Sequence, residues 1–249
     1  MDKFRDMAYE RPELAKIKAQ IRVLGEQLKG ASDIEGAKAA FQGFLDETRK
    51  AGTMETLADI RNTLDMTDEF YEGEMEYFHR EDPGLELEKE GFVQILLASP
   101  YLEQLKEVYG DFYFTRLANV SRLVSEKNVE LLVKESSLVQ KYAKCSATAS
   151  TEFEGESLNF YGLLKKMQDT NREMRRRALE AWADLYQSIA PQLDEIYSEL
   201  VQVRCRMAEN LGFSDYVDMA YLKNERYTYG REEVSRFRDA IVKHVVPLC

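Results

Sequence analysis

Glycine and proline are scarce in this chain. Thirteen Gly and five Pro among 249 residues make about 7%, where roughly 12% is usual. That shortage excludes a many-stranded sandwich or barrel, which needs a turn every 8–12 residues or so. Long helices are the simpler reading. Positive charge is also short: 34 Lys and Arg face 45 Asp and Glu, a net charge of -11, and the pI is about 4.9. A surface of that sign repels phosphate, which argues against nucleic acid and against anionic lipid as partners. Cysteine is limited to Cys145, Cys205 and Cys249, with no Cys-x-x-Cys. Free thiols in a reducing compartment fit that usage better than a disulfide framework. No run approaches 18 apolar residues, and Met1-Asp2-Lys3-Phe4-Arg5-Asp6 lacks the apolar core of a secretion signal. Apolar residues still make up 44%, enough for a core. The expectation is a mostly helical, cytoplasmic protein of one large domain or two small ones.

Periodicity divides the chain. Pro12 suits a helix start, and Leu14, Ile17, Ile21, Leu24 and Leu28 recur at steps of three and four on one face. The pattern predicts a second helix over about 33–50, broken by Ala51-Gly52, and a third capped by Thr53. An acidic helix should run over about 67–80, with a turn at Pro83-Gly84. A helical stretch holding Phe92, Ile95 and Leu96 should stop at Ser99-Pro100, with Ser99 capping the next helix. From Asp111 to about Lys144 the pattern stays helical without clear breaks. Segment 145–160, rich in Ser and Thr around Glu154-Gly155, reads as one short β-hairpin. A lone hairpin is marginal and must pack on helices.

The last third is more regular. Thr170-Asn171-Arg172-Glu173 fits a capping box. One helix follows with Ala178, Ala181, Trp182 and Leu185 inward. Another carries Ile189, Leu193, Ile196, Leu200, Val203, Met207 and Leu211. Leu211-Gly212-Phe213 reads as a C-cap, and Ser214-Asp215 restarts a helix. A final helix from near Arg231 presents Val234, Phe237, Ile241 and Val245. Pro247-Leu248-Cys249 has no polar tail, so a longer polypeptide is expected. Two regions are expected: helical 1–144, and 145–249 with the hairpin and further helices.

Histidine is the scarce catalytic residue, present only as His79 and His244. Neither lies in His-Glu-x-x-His, which holds zinc on one helix face. No Gly-x-Ser-x-Gly or Gly-x-Gly-x-x-Gly occurs. Glu76-Tyr77-Phe78-His79 is a Glu-x-x-His, but a di-iron bundle needs two such units, and Ile241 stands three before His244. The plain reading is a solvated acidic face with a surface histidine. His79-Arg80-Glu81 starts a deaminase-like signature whose Pro-Cys-x-x-Cys half is missing. Tyr216, Tyr221, Tyr227 and Tyr229 cluster around Asn224 and Arg226. Phenols and a guanidinium on one wall could hydrogen-bond a peptide backbone; ordinary amphipathic packing is the alternative.

Two stretches carry a resemblance. One is Ala149-Ser150-Thr151-Glu152-Phe153-Glu154-Gly155, followed by Asp169-Thr170-Asn171-Arg172-Glu173-Met174-Arg175-Arg176-Arg177-Ala178. The other is Met207-Ala208-Glu209-Asn210-Leu211-Gly212-Phe213-Ser214-Asp215-Tyr216, continuing Asp218-Met219-Ala220-Tyr221. Together they resemble the oligoendopeptidase F family of thimet-like zinc metallopeptidases. The family's Asp-Arg-x-x-Arg helix start is loosened here, with two residues between Asp169 and Arg172.

The resemblance implies a mostly α, elongated multi-helix array, the N-terminal lobe of a zincin-like oligopeptidase. This lobe would form one wall of a channel that admits short peptides. Zinc would belong to the complete enzyme, on a His-Glu-x-x-His and a later glutamate that this chain lacks. No catalytic or metal residue is therefore assigned, no metal is expected here, and the chain alone is expected to be inactive. Tyr216, Tyr221, Asn224, Arg226, Tyr227 and Tyr229 are the residues expected to touch substrate. A surface left uncovered would favour self-association. The alternative is a stand-alone helical interaction protein derived from such a peptidase.

Overall fold

All five apolar residues of the first stripe, Leu14 to Leu28, are buried, and they lie on helix α1, Leu14–Lys29. The computed structural model describes residues 6–249, and α1 is the first of ten α-helices among them. The second, α2, runs unbroken from Ile34 to Leu64. The expected break at Ala51-Gly52 does not occur. Ala51 is buried, and the space beside Gly52 is open. Thr53 is no cap: its hydroxyl donates to Arg49 O at 2.8 Å, one turn back. A mid-helix glycine costs only about 1 kcal/mol relative to alanine, too little to split a helix that buries Phe41, Phe44, Leu57 and Ala58.

The same arithmetic overturns the turn expected at Pro83-Gly84. Helix α3 spans Glu69–Leu97 with Pro83 inside it. An interior proline costs about 3 kcal/mol. The helix buries Met75, Phe78, Leu85, Phe92, Val93 and Leu96, each worth roughly 1.5–3 kcal/mol. Burial wins. Helix α4, Leu102–Tyr109, starts one residue after Tyr101, and Ser99 Oγ accepts from Tyr101 N rather than capping the first turn. Gly110, at φ 90°, separates α4 from α5, Asp111–Ser121. A short 3-10 turn, Glu126–Asn128, leads into α6, Val129–Thr148, so Cys145 is helical and the strands begin later than the segment's composition suggested.

The hairpin is present as β1, Ser150–Phe153, and β2, Glu156–Asn159, antiparallel with Thr151 opposite Leu158. Its two-residue turn places Glu154 at φ 58° and Gly155 at φ 82°. Both positive values are what the right-handed twist of a tight hairpin demands. Replacing Gly155 by Ala should destabilise the fold by about 1–2 kcal/mol, the usual cost of a left-handed L-residue. A urea titration followed by circular dichroism measures it, and an unchanged midpoint would reject the turn assignment.

Asn159 caps α7, Phe160–Lys166, accepting from Gly162 N at 3.0 Å. Helix α8 is one element of 39 residues, Arg172–Asn210, not two. Its cap is Asn171, whose side chain accepts from Glu173 N at 2.9 Å, so the box centred on Thr170 is displaced by one. Gly212 at φ 78° and the Phe213 N to Ala208 O bond of 3.0 Å close α8 as expected. Asp215 caps α9, Tyr216–Lys223. Helix α10 covers Arg231–His244, and a 3-10 turn follows at Val246–Leu248.

Two compact units share these helices. The first takes residues up to Gln20, Phe44–Leu85 and Val129–Arg204; the second takes Ile21–Gly43, Glu86–Asn128 and Cys205–Cys249. In the first, the hairpin does pack on helices: Phe153 joins Leu163, Ala178 and Leu185, with Leu158, Phe160 and Trp182 against them. In the second, Phe41 sits among the rings of Phe92, Tyr109, Tyr113 and Phe114. Fully buried Asn128 is satisfied there, donating to Met207 O at 3.1 Å and accepting from Asn210 at 2.8 Å.

Candidate functional site

The tyrosine-rich segment lies in the second unit and is built from the end of α9 and the loop after it. Tyr216 opens the helix. Asn224 closes it, and its side-chain amide donates to Ala220 O at 2.8 Å. That amide is therefore used in terminating its own helix. Glu225 follows at φ 55°, and Arg226 N returns to Tyr221 O at 2.9 Å. This reversal brings three of the six named residues together. The Arg226 guanidinium lies 5.3 Å from the Tyr221 ring centre, and the Tyr229 ring meets Tyr221 edge-on at 6.3 Å.

Tyr227 goes elsewhere. Its ring packs on Phe112 of α5 at 6.3 Å, beside the Arg116–Glu225 ion pair of 2.6 Å. The Tyr227 hydroxyl is buried without a hydrogen-bond partner. Burial, then the Glu225 carboxylate, push that phenol above its ordinary value, against an opposing pull from Arg116. It is a packed phenol, neutral at neutral pH. The chemistry left to solvent is the Arg226 guanidinium on its aromatic shelf, a fork of donors suited to carbonyl or carboxylate oxygens.

The acidic helix differs from its plain reading. Glu74 is only 2% exposed. Its carboxylate accepts from the Tyr9 hydroxyl and from Arg11 Nε at 2.9 Å, with Arg11 Nη2 as a further donor. This side chain therefore ties the segment before α1 to α3. His79 is half-buried rather than superficial. Burial holds its pKa below the ordinary 6.5, opposed by Glu55 and Asp59 of α2 and Glu76 of α3, and by a bond with Gln140 of α6. The unfolded chain therefore takes up the proton first. Stability from neutral His79 is complete well above pH 6.5 and declines as pH falls below it. His79→Gln should flatten that decline in urea midpoints measured between pH 7.5 and 5.5. An unchanged slope would remove His79 as its source.

Among the described residues no group of three or more His, Cys, Asp or Glu side chains is arranged to hold a metal. No helix among them is long and apolar enough to cross a membrane.

Comparison with known proteins bears on this architecture. A family model described as the peptidase M3 N-terminal domain matches residues 4–123. A peptidase M2 model, described as angiotensin-converting enzyme, matches 100–249. Comparison with curated proteins returned no match. Among solved structures, PZ peptidase A with an inhibitor is 33% identical, with a TM-score of 0.95 over 98% of this chain. A protein described as an oligoendopeptidase F from Bacillus anthracis strain Ames is 30% identical, with a TM-score of 0.95 over 98%. A further oligoendopeptidase F structure is 31% identical, with a TM-score of 0.96 over 100%. The chain spans only 44–45% of the length of these structures. With both models naming peptidases and the first naming an N-terminal domain, the chain belongs to the oligoendopeptidase F-like peptidases and corresponds to their N-terminal half.

Proposed function

We propose that this chain is the N-terminal, channel-forming part of a cytoplasmic zinc metalloendopeptidase that hydrolyses short oligopeptides, and that it is inactive by itself. The observation that carries the reading is the match of nearly the whole chain to less than half of each peptidase structure. In that reading zinc would be held by the other half and would supply Lewis-acid activation of the scissile carbonyl and of water. This chain's part is steric and electrostatic: residues 145–249 lead toward the catalytic half. Of the six candidates, Tyr221, Arg226 and Tyr229 face substrate oxygens.

Helix α10 supports a missing partner surface. It buries no residue; Phe237 on its apolar stripe is 65% exposed, and Val245, just past its end, is 49% exposed. Exposed apolar side chains of this kind promote association, so the isolated chain should self-associate in sedimentation velocity runs as concentration rises. A sharp monomer at high concentration would count against it.

The direct test is hydrolysis of an internally quenched short peptide. The 249-residue chain with added zinc should show none, and a polypeptide carrying a His-Glu-x-x-His half in the same frame should restore it. Hydrolysis by the chain alone that survives repurification would overturn the proposal. The exposed α10 stripe fits a second reading equally, a stand-alone helical interaction protein. The reading frame after the Cys249 codon separates the two: a His-Glu-x-x-His favours the peptidase, an immediate natural stop the interaction protein.

A further inference from the structure

Helices α6 and α8 enclose a groove of about 580 Å³ within the first unit, inside the size range of ligand-binding clefts, about 300–1,000 Å³. Its walls are Val139 and Tyr142 of α6 and Leu193, Tyr197 and Leu200 of α8. The sequence pattern placed Leu193 and Leu200 in the same inward stripe as Ile196 and Val203. The structure splits that stripe. Ile196 and Val203 are buried, while Leu193 and Leu200 stand half-covered at the groove. Tyr197 is 70% exposed and Tyr142 52%.

The groove has fixed ends. Arg204 Nε donates to buried Glu135 at 2.7 Å, and a Lys134–Glu199 ion pair of 2.7 Å reinforces that end. At the other end Cys145 Sγ meets Gln192 Oε1 at 3.1 Å. These cross-links run in opposite order along the two helices, so the helices are antiparallel and the apolar walls lie between the clamps.

Charge decides the occupant. Only Asp194 and Arg204 among the lining side chains are ionic, and Arg204 is neutralised by Glu135. Asp194 is exposed and has no ion pair among the described residues. Positions three and four away on α8 hold Pro191, Ala190, Tyr197 and Ser198, none of them a cation. The groove therefore combines an apolar floor, two phenol rims and one uncompensated negative charge. A second copy of this acidic chain is disfavoured, because a symmetric contact would bring two Asp194 carboxylates into one desolvated interface.

We propose that this groove binds a short peptide segment in which a large apolar side chain adjoins a Lys or Arg. The apolar side chain enters between Val139, Leu193 and Leu200. The phenols of Tyr142 and Tyr197 flank it, and the cation reaches Asp194. The proposal rests on the oligopeptidase reading and adds a substrate preference to it.

The test is fluorescence anisotropy with the 249-residue chain and a dye-labelled, end-blocked hexapeptide Gly-Lys-Leu-Phe-Gly-Gly. A twin carrying Glu in place of Lys is the control. The Lys peptide should bind at least fivefold more tightly than its twin, and the difference should shrink with added salt. Asp194→Lys should abolish the discrimination, and Tyr197→Ala should weaken the Lys peptide about tenfold. Both positions are exposed, so unchanged melting curves will show that the variants fold. Equal affinity for the two peptides, or discrimination that survives Asp194→Lys, overturns the proposal. So does a dimer that Tyr197→Ala dissociates, since a second copy would then fill the groove. Failure of the peptidase reading shows separately, as selective binding in a chain whose gene encodes no zinc-binding half.

Discussion

Phe41→Ala is expected to lower the unfolding free energy by about 3–5 kcal/mol, the range for removing a fully buried phenyl ring from a packed core. Phe41 is fully buried. Tyr109 meets its ring edge-on at 4.8 Å, and Phe114 lies at 6.0 Å. Phe92 lies nearly parallel at 6.5 Å. The substitution loses both the transferred surface and the aromatic contacts, and the surrounding rings, held on α3, α4 and α5, cannot collapse far into the gap. Guanidinium unfolding monitored by circular dichroism measures the loss. Phe41→Leu, which keeps most of the volume, should lose less than half as much. A cost under 1 kcal/mol for the alanine variant would mean that this ring cluster is not a packed core.

Arg11→Ala should cost about 3 kcal/mol, the low end for breaking a buried ion pair. The low end applies because Arg11 is itself 54% exposed while Glu74 is 2%. What remains after the substitution is a buried carboxylate with one phenol donor. The Arg11 bond, with Tyr9 assisting, holds the Glu74 carboxyl below its usual 4.5 against the opposite pull of burial. The stabilisation from Glu74 is therefore complete above pH 4.5 and is lost as pH falls through the lower folded-state value. Acid unfolding should begin at higher pH in Arg11→Ala than in the parent. Adding Glu74→Leu to Arg11→Ala should recover most of the stability, since an apolar side chain leaves no orphaned charge. If the double variant is no better than the single one, the loss comes from Arg11 packing on Tyr77, whose ring centre lies 4.9 Å from its guanidinium.

The two misplaced helix breaks share one cause. Gly52 and Pro83 are both read as interrupting helices, and both lie inside continuous ones. Local preference against a helix amounts to between about 1 and 3 kcal/mol at such positions. The burial that overrides it comes from residues tens of positions away and leaves no local trace. Some local signals do hold. Gly155 and Gly212 adopt the positive φ that their turns demand, and Asp215 caps its helix from its own neighbourhood. The groove between α6 and α8 had half a signal. Leu193 and Leu200 are visible as apolar, but nothing in their spacing says that they end half-covered beside α6.

Composition and local pattern by themselves determined a helical, acidic chain with one hairpin and the resemblance that places it among peptidases. They suffice for this because helix periodicity, turn glycines and net charge are properties of neighbours in sequence. Only the tertiary structure decided which apolar stripes are covered. It buried Glu74 against Arg11, left α10 bare and kept Asp194 unpaired beside an open groove. Those outcomes depend on which distant side chains arrive to exclude water or supply a counter-charge, and no window along the chain contains that information.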